Sequence, residues 1–346
     1  MHQTLESMFE SKGESVVAGN QRVAAAGFNR VRELAGSRPK PAKPEHPAER
    51  LLLQGNAALP LGALAAGLKF MSAYPMTPAT GVTEFIAQHG REASVVMEQA
   101  EDEISAINMA IGASFAGVRA MTATSGGGFA LMTEALSLAG SAEIPIVVIN
   151  AMRPGPSTGL PTRTEQGDLR YAAAMSFGDF PRAVLAPGDV EEAFYLMGQA
   201  FNLADEYQMP VVVLSDQHLA DSHVTVPPFD LSKVEIRRGK VVAGAEAGPD
   251  YLRYKYTEDG VSPRLYPGFG EGVVVSAGDE HDEKGHLIED AETRQKMMEK
   301  RMAKQKLVEA AALEPVLCGA EEPDAMLIGF GSTKGAIREA VRILNE

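Results

Sequence analysis

The stretch FMSAYPMTPATG, Phe70–Gly81, joins an apolar segment to a short turn bracketed by two prolines. Its first part has the apolar character of a buried strand, which we predict over Leu68–Tyr74. The prolines then fix φ at two positions and bias the residues before them towards extended conformations. The stretch therefore predicts a strand that ends in a stiff, non-helical segment, here called the hook (Tyr74–Pro78), which presents Thr77 rigidly.

Short apolar runs alternate with helical stretches between about Leu51 and Asp221. This alternation is typical of a parallel sheet that is covered by helices on both faces. The sequence therefore predicts an α/β fold with a mostly parallel, doubly wound sheet, in which a long helix covers Val190–Tyr207. The predicted strands are Leu68–Tyr74, Ser94–Met97, Val118–Thr124, Pro145–Asn150, Arg182–Leu185 and Pro210–Ser215.

Proline and charge content divide the chain before and after this sheet. Residues 1–36 have apolar residues at helical spacing, and the proline-rich residues 37–50 are predicted to form a solvated linker. Residues 51–235 hold the predicted sheet. Residues 236–320 are predicted to connect it, through surface strands or loops, to a charged helix over about Ile288–Ala312 with a solvated or partner-facing side.

The last segment, residues 321–346, is predicted to form one strand, in DAMLIGFGS, and one helix. A single strand and helix cannot bury their own apolar surface. We therefore expect this unit to be the start of a second α/β domain that pairs with another element or continues in a longer chain.

Composition excludes several classes of protein. The 346 residues are 45% hydrophobic, which is enough for a substantial core. The formal net charge of −14 argues against a protein that binds the phosphates of nucleic acids. A single cysteine, Cys318, cannot form a disulfide framework or ligate an iron–sulfur cluster within this chain, and it favours a reducing, cytoplasmic compartment. The histidine spacing matches no metal-binding motif, and GDEHDEKGH, with His281 and His286, is predicted to be a polar loop, with a weak metal site as the alternative. No apolar run has membrane-spanning length.

Four polar segments follow the predicted strands, where open parallel sheets bind their ligands. The first is the hook. The second, MEQAEDEISAINMAIGA, contains four acids at the start of a helix, and such acids often only complement the helix dipole. Glu101 and Glu103 flank the predicted buried stripe, where a partly desolvated carboxylate suits proton exchange, and periodicity alone leaves these two tied. The other two acids, Glu98 and Asp102, fall on the opposite side of a stripe formed by Ile104, Ile107 and Ile111.

The third and fourth segments are a glycine-rich loop and an arginine-containing loop. TSGGGF permits close backbone approach and matches neither the P-loop nor the dinucleotide pattern, so it is either a ligand-binding loop or a tight turn. The fourth segment, RPGPSTGLPTRTEQGDL, carries Arg153 and Arg163. A guanidinium group can bind a carboxylate through two parallel hydrogen bonds, although a solvated surface position is the alternative for each arginine.

Together and in this order, the four segments resemble the alpha subunit of 2-oxoacid:ferredoxin oxidoreductases, most closely the 2-oxoglutarate type. YPMTP resembles the YPITP signature of that family, with Met76 in place of isoleucine. EDEISAINMAIGASFAG, MTATSGGGF and RPGPSTGLPTRTEQGDL resemble further signature stretches, although SGGG departs from the usual SGPG. The resemblance runs from about Leu51 to the end, and residues 1–36 resemble the tail of a gamma portion.

The resemblance implies a thiamine-diphosphate enzyme subunit with residues 51–235 as the pyrimidine-binding domain and 321–346 as an incomplete transketolase C-terminal-like domain. The implied reaction is the oxidative decarboxylation of 2-oxoglutarate to succinyl-CoA with reduction of ferredoxin. The alternatives are the same reaction on pyruvate or a branched-chain 2-oxoacid, a non-catalytic scaffold, and a nucleotide-dependent oxidoreductase, which the missing fingerprints disfavour.

Site residues follow from the same resemblance. Thiamine enzymes often place the glutamate that hydrogen-bonds the aminopyrimidine nine residues before a helix glycine, a spacing that Glu103 and Gly112 have and Glu101 lacks. Glu103 is therefore the implied catalytic and cofactor-binding residue. Substrate binding is implied for Thr77 and Arg153, with Arg163 as the second candidate for the carboxylate. Further cofactor contacts are implied for Tyr74, Pro75, Ser125 and Gly126.

The resemblance also implies partners. The chain lacks the GDG motif that thiamine enzymes use for magnesium and diphosphate, and it lacks the cysteines for a cluster. The diphosphate site, the magnesium and the iron–sulfur cluster are therefore expected on a beta subunit in a hetero-oligomer that includes a gamma portion. Coenzyme A and ferredoxin would act through this complex, and no nucleic acid or membrane partner is expected.

Overall fold

The computed structural model describes residues 1–34, 48–176, 178–320 and 322–345. Contacts divide the chain into two compact units, Met1–Ala48 and Glu49–Glu346. Most of the predicted linker, residues 37–50, lies outside the described residues. The domain boundaries that the sequence predicts within the second unit stay predictions.

Helices make up the described part of the first unit, in agreement with the helical pattern of residues 1–36. They are α1 (His2–Phe9), a 3₁₀ turn (Glu10–Lys12) and α2 (Glu14–Leu34).

The second unit contains ten strands and ten α-helices among its described residues. Its strands are β1 (Leu51–Leu53), β2 (Leu68–Ala73), β3 (Val96–Gln99), β4 (Arg119–Thr124), β5 (Ile146–Met152), β6 (Ala183–Leu185), β7 (Pro210–Asp216), β8 (Val224–Val226), β9 (Val241–Gly244) and β10 (Arg264–Gly270). Its helices are α3 (Gly55–Ala65), α4 (Thr80–His89), α5 (Glu103–Phe115), α6 (Gly126–Leu131), α7 (Thr133–Ser141), α8 (Leu169–Ala174), α9 (Val190–Tyr207), α10 (Gln217–Asp221), α11 (Ala291–Ala310) and α12 (Thr333–Asn345), with a 3₁₀ turn at Leu231–Lys233.

A six-stranded sheet in the order β3-β2-β4-β5-β7-β6 forms the centre of this unit, and every neighbouring pair in it is parallel. Two further pairs, β1 with β8 and β9 with β10, stand outside the sheet. The predicted parallel α/β fold is confirmed. The edge strand β3 begins at Val96 rather than at the predicted Ser94, because Ser94 has a left-handed φ of 56° and cannot extend the ladder.

Helices cover both faces of the sheet. Along β5, Val147 and Ile149 pack into the core beneath α3, α4 and α9, whereas Ile146 and Val148 pack into the core beneath α5, α6 and α7. Successive side chains of a strand point to opposite faces, so a strand with a core on each side must be apolar at every position. The continuous apolar run that predicted this strand therefore reflects burial on both faces.

The order of the strands creates a crevice between β2 and β4. From β2 the chain crosses to β3 on one side, and from β4 it proceeds to β5 on the other. In open α/β sheets, ligands bind outside the carboxyl ends of the strands at such a switch point. The hook follows β2 and the glycine-rich loop follows β4, so both lie at this crevice.

The charged helix α11 has an exposed side, as the sequence predicted, but a buried ionic cluster fastens its other side to the rest of the unit. Lys300 Nζ and Lys304 Nζ contact the two carboxylate oxygens of the fully buried Glu143 at 2.5 and 2.7 Å. Arg253, in the segment predicted to lie at the surface, is buried too and donates to Glu143 O at 2.8 Å. The helix itself contains no sign of this partner, since Glu143 precedes β5, far away in the sequence.

The strand predicted in residues 324–332 is absent. Met326, Leu327 and Ile328 are exposed, and no described strand pairs with this segment. A strand needs a hydrogen-bonded neighbour, and apolar residues alone do not supply one. The helix predicted after it is present as α12.

No helix among the described residues combines the length and apolar character that crossing a membrane requires.

Acid should weaken the attachment of α11. Arg301 contacts both oxygens of the Glu280 carboxylate at 2.8 and 2.6 Å, and Arg294 also contacts it. Burial would raise the pKa of Glu280, but the hydrogen bonds from the two arginines outweigh it and lower the pKa to about 2 from the ordinary 4.5. The ionised carboxylate therefore stabilises the fold above pH 4.5, and this contribution is lost as the pH falls towards 2.

We expect the free energy of unfolding in urea to fall by about 1–3 kcal/mol over this pH range, with a smaller fall in Glu280→Gln. Glu292→Gln is the matched control, because Glu292 is exposed and pairs only with the exposed Lys296 in the described structure. An equally steep fall in Glu280→Gln would contradict the assignment to Glu280.

Candidate active site

Glu103 lies at the first turn of α5, at the carboxyl-end crevice, and only 4% of it is exposed. Glu101 is exposed, so burial separates the two acids that periodicity left tied. Asp102 caps the helix, since its carboxylate accepts a hydrogen bond from Ser105 N at 2.7 Å. Ser72 Oγ on β2 donates to Ala106 O at 2.5 Å and fastens the helix to the sheet one turn further on.

The buried face of α5 differs from the predicted isoleucine stripe. Ile107 and Ile111 are buried as predicted, but Ile104 is 48% exposed. The prediction took the large apolar residues to define the buried face. In the structure the small residues Ala106, Ala110 and Ser114 are buried too, and the buried face includes Glu103. The buried residues are Glu103, Ala106, Ile107, Ala110, Ile111 and Ser114.

Gly128 leaves the space that the Glu103 carboxylate occupies. A Cβ atom at Gly128 would lie within 3.0 Å of both Glu103 Oε1 and Thr124 Oγ1, a separation that real Cβ atoms do not show. Thr124 Oγ1 in turn contacts Met76 Sδ of the hook at 3.9 Å. The acidic helix, the glycine-rich loop and the hook therefore converge on one place.

Three buried oxygens near this place have no hydrogen-bond partner among the described residues: Glu103 Oε1, Ser125 Oγ and Asn150 Oδ1. Asn150 Nδ2 donates to Asp168 at 3.0 Å, and an oxygen of Asp168 lies 3.1 Å from where a Cβ of Gly126 would be. Leaving a buried polar group unpaired costs about 1–3 kcal/mol, so a group of such atoms at a crevice indicates a ligand-binding site.

The two candidate arginines lie in different environments. Arg153 follows β5, is 9% exposed, and donates from Nη1 to Thr77 O at 2.6 Å. Its other N–H groups have no hydrogen-bond partner in the described part of the chain and can receive an anion. Arg163 is exposed, and among the described residues it donates only to Thr162. The structure therefore brings Arg153, and not Arg163, into contact with the hook.

The remaining predicted site residues lie around the same crevice. In the hook, Tyr74 and Thr77 are exposed and Pro75 is half-buried. Ser125 is fully buried, and Gly126 begins α6. No group of three or more histidine, cysteine or acidic side chains in the described ranges is placed to hold a metal ion.

Sequence reasoning missed Thr124, Asn150 and Asp168. The first two offered a usable signal, because each is a polar residue near the carboxyl end of a fully buried strand. Thr124 and Asn150 are also register partners in the β4–β5 ladder. Asp168 offered no such signal, since only the folded loop brings it back to Asn150.

Comparisons with known proteins identify the family of the chain. A family described as pyruvate flavodoxin/ferredoxin oxidoreductase, thiamine diphosphate-binding, matches residues 61–300. The alpha subunit of 2-oxoacid:ferredoxin oxidoreductase 1 from Sulfurisphaera tokodaii is 41% identical over 323 residues, which are 88% of this chain and 51% of that protein. The 2-oxoglutarate synthase subunit KorA from Methanothermobacter thermautotrophicus is 41% identical over 242 residues, 69% of this chain and 62% of that protein.

A solved structure is similar over nearly the whole chain. It is the 2-oxoglutarate:ferredoxin oxidoreductase from Magnetococcus marinus with 2-oxoglutarate, coenzyme A and succinyl-CoA bound, with a TM-score of 0.88 and 39% identity. The match covers 99% of this chain and 60% of that one. This chain spans about half the length of the 2-oxoacid:ferredoxin oxidoreductase alpha subunits that it matches. The resemblance seen in the four segments is confirmed, and the chain belongs to the alpha-subunit family of the 2-oxoacid:ferredoxin oxidoreductases.

Proposed function

We propose that this chain supplies the pyrimidine-binding side of a thiamine-diphosphate-dependent 2-oxoacid:ferredoxin oxidoreductase that converts 2-oxoglutarate to succinyl-CoA and reduces ferredoxin. The observation that carries the proposal is the buried, unpaired Oε1 of Glu103, which lies in the space left by the missing side chain of Gly128. A carboxyl group without a protein partner can share one proton with a ring nitrogen that enters the crevice: the acid donates to a bare nitrogen, and the carboxylate accepts from a protonated one.

The residues present fit the cofactor. Glu103 would hold the aminopyrimidine ring and keep or accept a proton at its Oε1, while Tyr74, Pro75, Ser125 and Gly126 would line the pyrimidine end. When bound, thiamine diphosphate supplies a nucleophilic carbon that adds to the keto carbon of a 2-oxoacid. The glycine at position 128 lets the backbone approach the Glu103 side chain closely, and the burial of that side chain limits its contact with water.

The substrate end of the proposed site is formed by Thr77 and Arg153. Thr77 is exposed in the hook, and the free N–H groups of Arg153 match the geometry of a carboxylate. A fixed hydroxyl and a fixed guanidinium group would orient a 2-oxoacid. Holding the substrate in the reactive orientation lowers the activation free energy of the reaction. Arg163 remains the second candidate for the carboxylate, since loops of this kind can close on a ligand.

The choice of 2-oxoglutarate is supported by the names of two similar proteins, a 2-oxoglutarate synthase subunit and a 2-oxoglutarate:ferredoxin oxidoreductase. Pyruvate is the second candidate, because the description of the matching family names it. Turnover of each by the assembled complex separates them, and activity on pyruvate alone would reject 2-oxoglutarate.

The proposed enzyme needs partner subunits. With one cysteine, the chain cannot ligate the cluster that passes electrons to ferredoxin. A beta subunit would supply the cluster, the magnesium and the diphosphate site, and a gamma portion would complete the hetero-oligomer. Coenzyme A and ferredoxin would bind to this complex, and its cytoplasmic location stays a prediction from the cysteine content.

Glu103→Gln should lower kcat for 2-oxoglutarate-dependent ferredoxin reduction by about 100-fold or more, because an amide cannot exchange the proton. Glu101→Gln is the matched control, with the same chemical change two residues away on an exposed side chain. The assay uses the complex with its partner subunits. Full activity in Glu103→Gln, or an equal loss in both variants, would contradict the assigned role.

Gly128→Ala should abolish most activity and lower the melting temperature, because the added methyl group collides with Glu103 and Thr124. Gly127→Ala adds the same methyl group where the nearest atom, Ser157 O, is 4.0 Å away, so it should stabilise by about 0.5–1 kcal/mol. Thermal unfolding and turnover are measured for both. Equal melting temperatures and equal turnover in the two variants would contradict the need for free space at Gly128.

Arg153→Lys should raise the KM for the 2-oxoacid by about 10-fold to 100-fold, because lysine loses the paired N–H geometry. Arg163→Lys, the same change on an exposed side chain of the same loop, should leave the KM within about two-fold. Steady-state kinetics on the complex measure both. The reverse order of effects would assign the carboxylate to Arg163.

A further inference from the structure

Asn56, in the first turn of α3, contacts the hook. It precedes the hook in the sequence, whereas Arg153 follows it. The Asn56 side chain is 5% exposed, and Nδ2 donates to Pro78 O at 2.8 Å. The direction of this bond follows from its chemistry, since a carbonyl oxygen can only accept. Asn56 Oδ1 has no partner among the described residues, so the bond to Pro78 is the hydrogen bond that the side chain makes there.

Space for this contact is provided by Gly81 at the start of α4. A Cβ atom at Gly81 would lie 2.8 Å from Asn56 Nδ2 and 3.0 Å from Asn56 Cβ. Any larger residue would push the amide away from Pro78 O. The sequence therefore combines an asparagine on one helix with a glycine on the next, and both serve one hydrogen bond.

Two consecutive carbonyl groups of the hook are held by side chains from elsewhere. Arg153 Nη1 binds Thr77 O at 2.6 Å, and Asn56 Nδ2 binds Pro78 O. Each peptide group is planar, so fixing two successive carbonyls fixes the orientation of the backbone between them. The Thr77 carbonyl is also the anchor of Arg153, so movement of the hook would displace both groups of the proposed substrate site.

We propose that Asn56 is a positioning residue: through the Pro78 carbonyl it holds Thr77 and Arg153 in the arrangement that binds the carboxylate of a 2-oxoacid. In this proposal Asn56 acts through the backbone of the hook, which its side chain contacts, and not through a contact with the substrate. The inference rests on the proposed function, and it adds a residue from a helix that contributes no other group to the site.

The test is the affinity of the complex for 2-oxoglutarate in a Glu103→Gln background without ferredoxin, where turnover is slowed by about 100-fold or more and calorimetry reports binding. Asn56→Asp keeps the size of the side chain, but an ionised carboxylate cannot donate to Pro78 O. We expect the Kd for 2-oxoglutarate to rise by about 10-fold to 100-fold, while the Kd for coenzyme A stays within about two-fold.

Gly81→Ala displaces the same contact without changing Asn56, and alanine favours the helix in which it lies. It should raise the Kd for 2-oxoglutarate in the same way, and it keeps the test open if Asn56→Asp does not fold. Gly335→Ala is the matched control, because a Cβ atom there meets nothing within 4 Å on α12. Melting temperatures are recorded for all three variants.

The outcomes separate this inference from the proposed function. An unchanged Kd for 2-oxoglutarate in both Asn56→Asp and Gly81→Ala overturns the role of Asn56 and leaves the proposed function standing. A rise of equal size in the Kd for coenzyme A shows general loosening and also overturns the role. Failure of the complex with both Glu103 and Asn56 intact to bind or turn over either 2-oxoglutarate or pyruvate overturns the proposed function, and the inference with it.

Discussion

A carboxylate that is buried without a protein partner is the constraint on which the site depends. Glu103 is held at the start of a helix that is fastened to β2, and its Oε1 has no hydrogen bond among the described residues. Such a group is costly to keep, so the fold must offset it elsewhere. The buried apolar strands, which pack against helices on both faces, supply that stability. The stability of the sheet thus permits a locally unfavourable group at the crevice.

The loops at the crevice are also held rigidly by the surrounding fold. The hook is stiffened by its prolines and held by side chains that come from α3 and from the loop after β5. Outside the sheet, the cluster around Glu143 attaches α11 to the same unit. Rigid support on several sides is what a catalytic arrangement needs, because small displacements of reacting groups are costly.

The parallel sheet and the region of the site were predictable from sequence, since apolar runs, prolines and glycines report local structure. The exposure of Ile104 was not, because small residues decide which face of α5 approaches the sheet. The burial of Lys300 and Lys304 was not predictable either, since their partner lies before β5. Helix periodicity alone could not choose between Glu101 and Glu103, and the tertiary packing of α5 is what separates them.

The most direct test is the distance between the Glu103 carboxylate and the N1′ atom of the aminopyrimidine ring, in an experimental structure of the complex with thiamine diphosphate bound. We expect a hydrogen bond of about 2.6–3.2 Å between Glu103 Oε1 and this nitrogen. A cofactor that binds elsewhere, or a Glu103 carboxylate that turns away to pair with a protein side chain, would contradict it.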